Sequence, residues 1–337
     1  MLLENKAKKK SGNYRYNIFG LHIVSEIWLP ALLTATNALA IPEVCVRLGK
    51  VPAGIVDALK KSGNYQAAKN QFLLQVPGVG RYYVKDGNFI LIEPDEQAEA
   101  RLVQTFLLGT VFSVLLMQRG VLPIHGSAVV IHGRGVIFTG ISGAGKSTLL
   151  AAFRERGYSY LTDDVAAVTV EANGAAWVHA SYPQQKLWRD SAAATGVDMT
   201  AGKPVFVWKG EDKFAVPAHK GFSTSPMALA AVYELATEKR RDVALRPFRG
   251  LDKLTVLLNH TYRFELIEGL GLKTAHFKHA AALAGQIAVS RLIRPDGVFS
   301  LAEQIRLVEQ DVARRLTDGE VEERWYVEDG DAEGNRD

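Results

Sequence analysis

The sequence lacks most features that cross-link a chain or attach it to a membrane or to nucleic acid. Cys45 is the only cysteine among 337 residues, so no disulfide can form within the chain, and a reducing compartment is expected. The net charge is only +4, and we expect no nucleic-acid partner. With 47% hydrophobic and 23% charged residues, the composition is that of an ordinary globular protein.

Long uninterrupted apolar runs are also scarce. Residues 27–41 follow a short basic arm, as in a signal sequence, and residues 102–117 are strongly apolar. Pro30 and Asn37 interrupt the first stretch, and the second is shorter than the roughly 20 residues that span a bilayer. We therefore predict a cytoplasmic protein with no membrane partner and a buried core helix within about 97–118.

The remaining patterns divide the chain into three parts. Residues 1–95 contain a basic arm and then alternating apolar and polar runs, with a predicted hairpin turn at 86–88, and indicate a small β-rich domain suited to substrate recognition. Residues 96–316 contain the chemical motifs and end in helices predicted at 273–290 and 300–316. The acidic stretch 317–337 is predicted to be disordered. Exposed hairpin edges would allow assembly into a homo-oligomer.

One eight-residue segment carries the most specific signal. Residues 140–147 read Gly-Ile-Ser-Gly-Ala-Gly-Lys-Ser, the pattern of a phosphate-binding loop, between a predicted strand and a predicted helix. Loop N–H groups and the helix N-terminus would bind phosphate, Lys146 would reach the β- and γ-phosphates, and Ser147 would ligate Mg²⁺. ATP and Mg²⁺ are the predicted cofactors. The predicted nucleotide-binding residues are Gly140, Ser142, Gly143, Ala144, Gly145, Lys146, Ser147 and Thr148.

A histidine upstream of the loop is a candidate for catalysis. Residues 127–131 and 136–139 are predicted strands joined by a tight turn at 133–135. A hairpin centred on Arg134 would pair residue 128 with residue 140 and place His125 opposite Gly143. His125 would then act in catalysis or in charge stabilisation; the alternative is that it only braces the hairpin.

Two adjacent acids follow the loop helix. Asp163 and Asp164 come after a predicted strand at 158–161, and acids at the carboxyl end of a strand beside a phosphate loop suit Mg²⁺ ligation and general-base catalysis. Asp-Asp is also a common turn sequence. The functional interpretation therefore depends on where the pair lies, after a strand and beside the phosphate loop. Among later cations, Lys186, Lys213 and Arg263 are candidates for phosphate or substrate contacts, although surface exposure is the usual state of such residues.

These motifs together resemble one family. His125-Gly126, the phosphate loop and the segment 161–164 are similar to the HPr kinase/phosphorylase family, which shares its phosphate-loop core with phosphoenolpyruvate carboxykinases. The resemblance covers about residues 120–170 and implies an α/β (mixed α+β) P-loop catalytic domain, here preceded by the β-rich domain. It also implies that His125 and one aspartate act on an attacking serine hydroxyl, while the other acid and Ser147 serve the metal. The roles of Asp163 and Asp164 stay open at this point.

Three further segments, 19–30, 181–188 and 258–263, resemble the HPr-kinase-like proteins found beside lasso-peptide biosynthesis genes. That resemblance implies phosphorylation of a serine at the C-terminus of a precursor peptide. The wider family's Glu-Ile-Arg-Gly-Leu-Gly segment has no good counterpart, since 267–271 echoes it late in the chain with Glu268 at the arginine position. This departure counts against HPr as substrate and against the reverse reaction.

The sequence therefore leaves one leading hypothesis and several alternatives. The leading one is an ATP-dependent kinase that transfers the γ-phosphoryl group to a peptide serine. The alternatives are an HPr-type protein serine kinase, a small-molecule enzyme like phosphoenolpyruvate carboxykinase, for which the chain is short, and a P-loop ATPase switch. A switch would be expected to carry a signature such as Leu-Ser-Gly-Gly, which the sequence lacks.

Overall fold

A computed structural model describes residues 13–35, 40–200, 202–208 and 211–330. The first part forms an eight-stranded sheet, whose strands are β1 (Tyr14–Ile18), β2 (Leu21–Ser25), β3 (Val44–Leu48), β4 (Lys60–Lys61), β5 (Tyr65–Ala68), β6 (Gln71–Val76), β7 (Gly80–Lys85) and β8 (Phe89–Pro94). Their spatial order is β1-β2-β3-β8-β7-β6-β5-β4. The predicted hairpin turn between β7 and β8 is confirmed, with Asp86 and Gly87 both at positive φ.

A long apolar helix follows this sheet. It consists of α1 (Ala100–Phe106), a π-helical stretch (Leu107–Val111) and α2 (Phe112–Gln118). Over Ala100–Gln118 it is long and apolar enough to cross a membrane, but 67% of its most apolar window is buried inside the protein. The predicted core helix is therefore confirmed.

The apolar helix packs against two parts of the chain at once. Its buried residues share one hydrophobic core with the first sheet and with residues from much later in the sequence. Those later residues are Val165, Ala167, Tyr182, Leu266, Ile267 and Leu270. The predicted boundary near residue 95 thus separates two sheets that a common core joins.

The rest of the chain adds a second sheet and a small third one. The strands are β9 (Leu122–Ile131), β10 (Arg134–Thr139), β11 (Tyr160–Val170), β12 (Ala176–His179), β13 (Gln184–Trp188), β14 (Lys203–Trp208), β15 (Glu211–Pro217), β16 (Met227–Glu238), β17 (Ala244–Pro247) and β18 (Ala288–Pro295). The seven-stranded sheet has the order β10-β9-β11-β12-β16-β18-β17, and β13-β15-β14 form the small sheet. Because β10 also pairs with β16 in parallel, five of the strands close into a ring.

Helices cover the second sheet on more than one side. They are α3 (Lys146–Glu155), α4 (Arg189–Thr195), α5 (Leu251–Asn259), a short 3₁₀ helix (Phe264–Leu266), α6 (Lys273–Gln286) and α7 (Leu301–Gly330). One core contains buried residues of α5 and α6, such as Leu257 and Leu283, and another contains those of α3 and α7, such as Phe153 and Val308. The chain is therefore a mixed α/β protein, as predicted.

Two predicted C-terminal boundaries differ from the structure. The helix predicted at 273–290 ends at Gln286, because the β-branched and apolar residues after it form the buried strand β18 beside β16. The helix predicted to end near 316 continues through the acidic stretch as far as Gly330, where disorder was predicted. Residues 331–337 and most of the basic arm lie outside the described residues.

Candidate active site

The phosphate loop lies between β10 and α3, so the predicted strand–loop–helix order is confirmed. Gly140, Gly143 and Gly145 have φ of 140°, 85° and 101°, values that L side chains rarely adopt. A Cβ on Gly140 would come within 2.9 Å of the Leu235 carbonyl oxygen. Around Gly143 and Gly145, by contrast, there is open space. The first glycine thus allows close strand packing, and the other two shape the open loop.

A cavity of about 90 Å³ lies at this loop. Its lining residues are His125, Ser142, Gly143, Gly145, Lys146, Ser147, Thr148, Asp163, Asp164, Trp188, Ser191 and Lys213. The structure therefore brings together the predicted loop residues, the histidine, both acids and one predicted cation. Gly140 and Ala144 belong to the loop without lining this cavity.

His125 reaches the cavity, although the predicted hairpin register is wrong. Arg134 pairs with Ile131, and Thr139 pairs with Gly126, so the register differs by three residues from the prediction. The turn consists of His132 and Gly133, both at positive φ. Two-residue turns of this kind usually have Gly or Asn at the first position, and here a histidine takes that place. Beyond the last pair, the Thr139 hydroxyl donates to the His125 carbonyl oxygen at 2.8 Å.

The two acids lie inside strand β11, not at its carboxyl end as predicted, because the strand continues to Val170. In a regular strand, neighbouring side chains point to opposite faces. Asp163 and Asp164 nevertheless line the same cavity. Asp164 has a φ of 113°, which interrupts the alternation. Such a backbone conformation is strained for a residue with a side chain, and it persists only where the surroundings enforce it.

Asp163 is held by three donors. Its Oδ1 accepts hydrogen bonds from the hydroxyls of Ser127 at 2.6 Å and Ser147 at 2.9 Å, and its Oδ2 accepts one from the Lys186 backbone N–H at 2.7 Å. The side chain is almost wholly buried. Asp163 is thus fixed beside the hydroxyl that the loop sequence predicts as a metal ligand.

Asp164 has different partners. Its Oδ2 accepts a hydrogen bond from Lys186 Nζ at 2.7 Å, and its Oδ1 lies 3.8 Å from His125 Nδ1. Burial alone would raise the pKa of Asp164, but Lys186, His125 and Lys213 hold it well below the usual range. The same pairing raises the pKa of buried Lys186, against the effect of its burial. Asp164 and Lys186 therefore form a buried ion pair, and Lys186 itself does not line the cavity.

His125 and Lys146 have lowered pKa values. Burial is the main cause for His125 and lowers its pKa to about 4, so the imidazole is neutral at pH 7. Burial, followed by the charge of Lys213, lowers the pKa of Lys146 to about 8. The Lys146 ammonium donates to the carbonyl oxygens of Gly140 at 2.8 Å and Ile141 at 3.1 Å. An anion in the cavity would stabilise the charged form of this lysine.

The other two predicted cations have different positions. Lys213 lines the cavity and lies 5.7 Å from the centre of the Trp188 ring. Arg263 does not line it, because its Nε donates to the Thr110 hydroxyl at 3.1 Å and its Nη1 lies 3.6 Å from Glu265. Its segment contributes to the site in another way, through the ring of Tyr262, 5.4 Å from that of His125.

Sequence reasoning missed a buried amide beside the loop. Gln185 Nε2 donates to the Ser147 carbonyl oxygen at 2.7 Å, and Gln185 Oε1 accepts from Arg154 at 2.5 Å. It also missed Ser127, which binds Asp163, and His260, whose carbonyl oxygen accepts from the His125 N–H at 2.8 Å. Gln185 and His260 lie in the segments 181–188 and 258–263 that resemble lasso-associated kinases, but that resemblance does not indicate which residue contacts the loop.

The donor set at the loop fits a nucleotide-bound Mg²⁺ ion. Across the described ranges, no group of three or more His, Cys, Asp or Glu side chains is placed to hold a metal ion. Ser147 and Asp163 do offer two hard oxygen donors side by side. Mg²⁺ commonly takes one or two protein ligands and completes its shell with phosphate oxygens and water. These two residues would suffice for such an ion.

Comparisons with known proteins give a distant structural match. No protein-family model matches the chain, and no curated protein matches it either. Among solved structures, the chain is similar to the Hpr(Ser) kinase/phosphatase from Coxiella burnetii, with 13% sequence identity and a TM-score of 0.30. The match covers 63% of this chain and 99% of that chain.

Proposed function

We propose that the protein is an ATP-dependent kinase that transfers the γ-phosphoryl group to a serine hydroxyl of a peptide. One observation carries the proposal: the phosphate-loop residues Lys146 and Ser147 line the same cavity as both acids and a neutral histidine. Phosphoryl transfer depends mainly on positioning the reactants and on neutralising charge. The cavity combines the groups for both tasks.

The loop side of the cavity would bind the phosphates. Loop N–H groups and the N-terminus of α3 favour an anion, and Lys146 and Lys213 supply positive charge. Ser147 and Asp163 would hold Mg²⁺, which would neutralise charge on the phosphates. In the structure these two side chains are bonded to each other, and Ser127 and Lys186 fix the carboxylate from other directions.

The opposite side would receive the serine hydroxyl. Its oxygen would form a bond to the γ-phosphorus as the bond to the bridging oxygen breaks, and its proton would pass to a neighbouring base. Asp164 remains ionised at neutral pH, so it can accept the hydroxyl hydrogen bond and orient the attacking oxygen. Neutral His125, next to it, can accept the proton. We therefore assign Asp163 to the metal and Asp164 to the acceptor.

We further propose a lasso-peptide precursor, phosphorylated at its C-terminal serine, as the substrate. The support is the resemblance of segments 19–30, 181–188 and 258–263 to lasso-associated kinases. Two of these segments contact the catalytic residues. The second contains Gln185 and Lys186, and the third contains His260 and Tyr262.

The test is transfer of phosphate from Mg²⁺·ATP to a precursor peptide, read by mass spectrometry as the gain of one phosphoryl group. The matched controls are a peptide with its C-terminal serine replaced by alanine and the Lys146→Ala enzyme. We expect modification only of the serine peptide by the unaltered enzyme. ATP hydrolysis with no phosphate transfer to any serine peptide would contradict the kinase proposal and favour an ATPase switch. Decarboxylation of oxaloacetate would contradict it and favour a carboxykinase-like enzyme.

A further inference from the structure

A second, larger cavity adjoins the phosphate pocket. Its volume is about 630 Å³, within the range of small-molecule sites, whereas the pocket at the loop measures about 90 Å³ and is too small for a whole nucleotide. The residues lining the larger cavity include Trp188, Asp190, Ser191 and Arg294, and the segment Gly297 to Leu301 between β18 and α7.

The two cavities are neighbours along the phosphate loop. They share six lining residues, which are Ser142, Gly143, Gly145, Thr148, Trp188 and Ser191. A molecule that is bound at the loop and is longer than the small cavity would therefore lie next to the larger one. His125, Asp163 and Asp164 line the smaller cavity and not the larger one.

The position of these three residues at the smaller cavity decides which reactant the larger cavity would bind. In phosphoryl transfer the attacking and leaving oxygens lie roughly in line on opposite sides of the phosphorus. The acceptor serine must approach from the side of Asp164 and His125. The leaving diphosphate, with its nucleoside, must therefore extend away from them, along the loop and into the larger cavity.

The walls of the larger cavity suit a nucleoside. Phe299 and Val298 are neighbours in the chain, have 72% and 53% of their surface exposed, and both line this cavity, where Trp188 adds a second aromatic surface. Nucleic-acid bases stack readily on aromatic side chains. Arg294 makes no side-chain hydrogen bond or ion pair with the part of the chain that is described, so its guanidinium is available for phosphate or ribose oxygens.

We infer that this cavity binds the nucleoside half of the triphosphate, with Phe299 and Val298 covering the base. The inference rests on the proposed function, since it concerns the same nucleotide. It assigns a binding role to the loop between β18 and α7, which carries no sequence motif. Exposed Phe277, on α6, lines neither cavity and provides a matched control.

The experiment compares the binding of Mg²⁺·ATP and Mg²⁺·tripolyphosphate by calorimetry to the unaltered protein, to Phe299→Ala and to Phe277→Ala. Tripolyphosphate carries the same chain of phosphates without a nucleoside. We expect Phe299→Ala to weaken ATP binding by about five- to a hundredfold, the scale of losing one base–aromatic stack. Binding of tripolyphosphate should not change, and Phe277→Ala should leave both ligands unaffected.

Other outcomes separate failure of this inference from failure of the proposed function. If ATP and tripolyphosphate bind equally well, and Phe299→Ala changes neither, the nucleoside lies elsewhere and the inference is overturned. The inference is also overturned if Phe299→Ala weakens binding of the acceptor peptide and not of ATP. If neither phosphate ligand binds, the phosphate site itself is wrong, and the proposed function falls together with the inference.

Discussion

The first sheet and the second sheet differ in what they bury. Among the described residues before α1, Ser25 is the only buried polar residue, and the ion pairs there, such as Arg47–Glu26, lie at the surface. The second sheet and its loop bury Lys146 and Asp163, and Asp164 of this sheet forms a nearly buried ion pair with Lys186 of the small sheet. Burying charge is costly unless partners surround it. The buried charges therefore lie at the second sheet and its neighbours, where the proposed chemistry needs them, whereas the first sheet buries almost only apolar side chains.

The largest effect we expect comes from the loop lysine. Lys146→Ala removes the charge that would hold the phosphates, and turnover should fall by about a thousandfold or more, the upper scale for losing one electrostatic contact to a transition state. The free energy of unfolding should change by less than about 1 kcal/mol, because the side-chain hydrogen bonds of Lys146 within the described residues go to loop carbonyls, and its removal also removes a buried charge. Transfer assays and urea unfolding on one preparation test both statements. Normal turnover would remove the phosphate-site assignment.

The next prediction separates the two acids. Asp163→Asn and Asp164→Asn should each lower turnover by at least about a hundredfold, the scale for losing one electrostatic contact to a transition state. Only Asp163→Asn should also raise the Mg²⁺ concentration needed for activity, since Asp163 contacts the loop hydroxyl. Asp164→Asn should leave ATP affinity nearly unchanged. Magnesium titrations and ATP binding for both variants measure the difference, and the reverse pattern would exchange their roles.

Asp164→Asn has a second consequence, since it leaves buried Lys186 without its anion. Breaking one partner of a buried pair typically costs about 3–5 kcal/mol of stability, whereas removing both partners is often nearly neutral. The double variant Asp164→Asn with Lys186→Met should therefore regain stability over Asp164→Asn alone and remain inactive. Thermal unfolding and transfer assays compare the three proteins. Recovered activity in the double variant would show that Asp164 serves only to neutralise the lysine.

A change in the shared core should produce the opposite result from Lys146→Ala. Phe112 is fully buried, with its ring 6.2 Å from that of Phe19 in the turn between β1 and β2. Phe112→Ala should lower the free energy of unfolding by about 3–5 kcal/mol, and the turnover of the folded fraction should stay within about twofold. Urea titration and active-site counting measure the two quantities. A loss of turnover without a loss of stability would place catalytic function in the first sheet.

The smallest predicted effect concerns the stability of the protein at low pH. The pKa of His125 is lowered to about 4 in the folded protein, against about 6.5 when unfolded. The unfolded chain therefore binds a proton first as the pH falls, and stability decreases between about pH 6.5 and 4. Burial also lowers the pKa of His179 and of His276, so three histidines contribute to this decrease.

The unaltered protein should lose stability between pH 7.5 and pH 4.5. His125→Asn should lose less, and the remaining loss comes from His179 and His276. The measurement is the urea midpoint at the two pH values. Exposed His219 gives a matched control, because His219→Asn should leave the pH dependence as it is in the unaltered protein. An unchanged loss in His125→Asn would mean that its imidazole is solvated rather than buried.

Local patterns predicted the phosphate loop well, because its glycines, lysine and serine act within eight consecutive residues. The same holds for the core helix, whose apolar run is continuous. The hairpin register was missed because it depends on His132, a non-glycine residue at positive φ. Strand β18 was missed because its Ala-containing start continues the helical composition before it, and only pairing with β16 defines it.

The rest of the site could not be predicted because it depends on contacts between distant parts of the chain. Ser127 reaches Asp163 across paired strands, and Gln185 reaches Ser147 from the small sheet. The proposed roles of the two acids depend on their different partners and on the positive φ at Asp164, which no residue pattern indicates. By contrast, the presence of both acids and of His125 near the loop followed from the motif order.

The common core also affects how this protein is made. A ribosome completes the apolar helix at Gln118, but Leu266, Ile267 and Leu270, which help to cover it, emerge much later. At about 5–20 residues per second, the interval is roughly seven to thirty seconds. During that time the most apolar helix of the chain is only partly covered by the first sheet. A nascent chain stalled in this interval should therefore recruit chaperones, and one extended beyond Leu270 should release them.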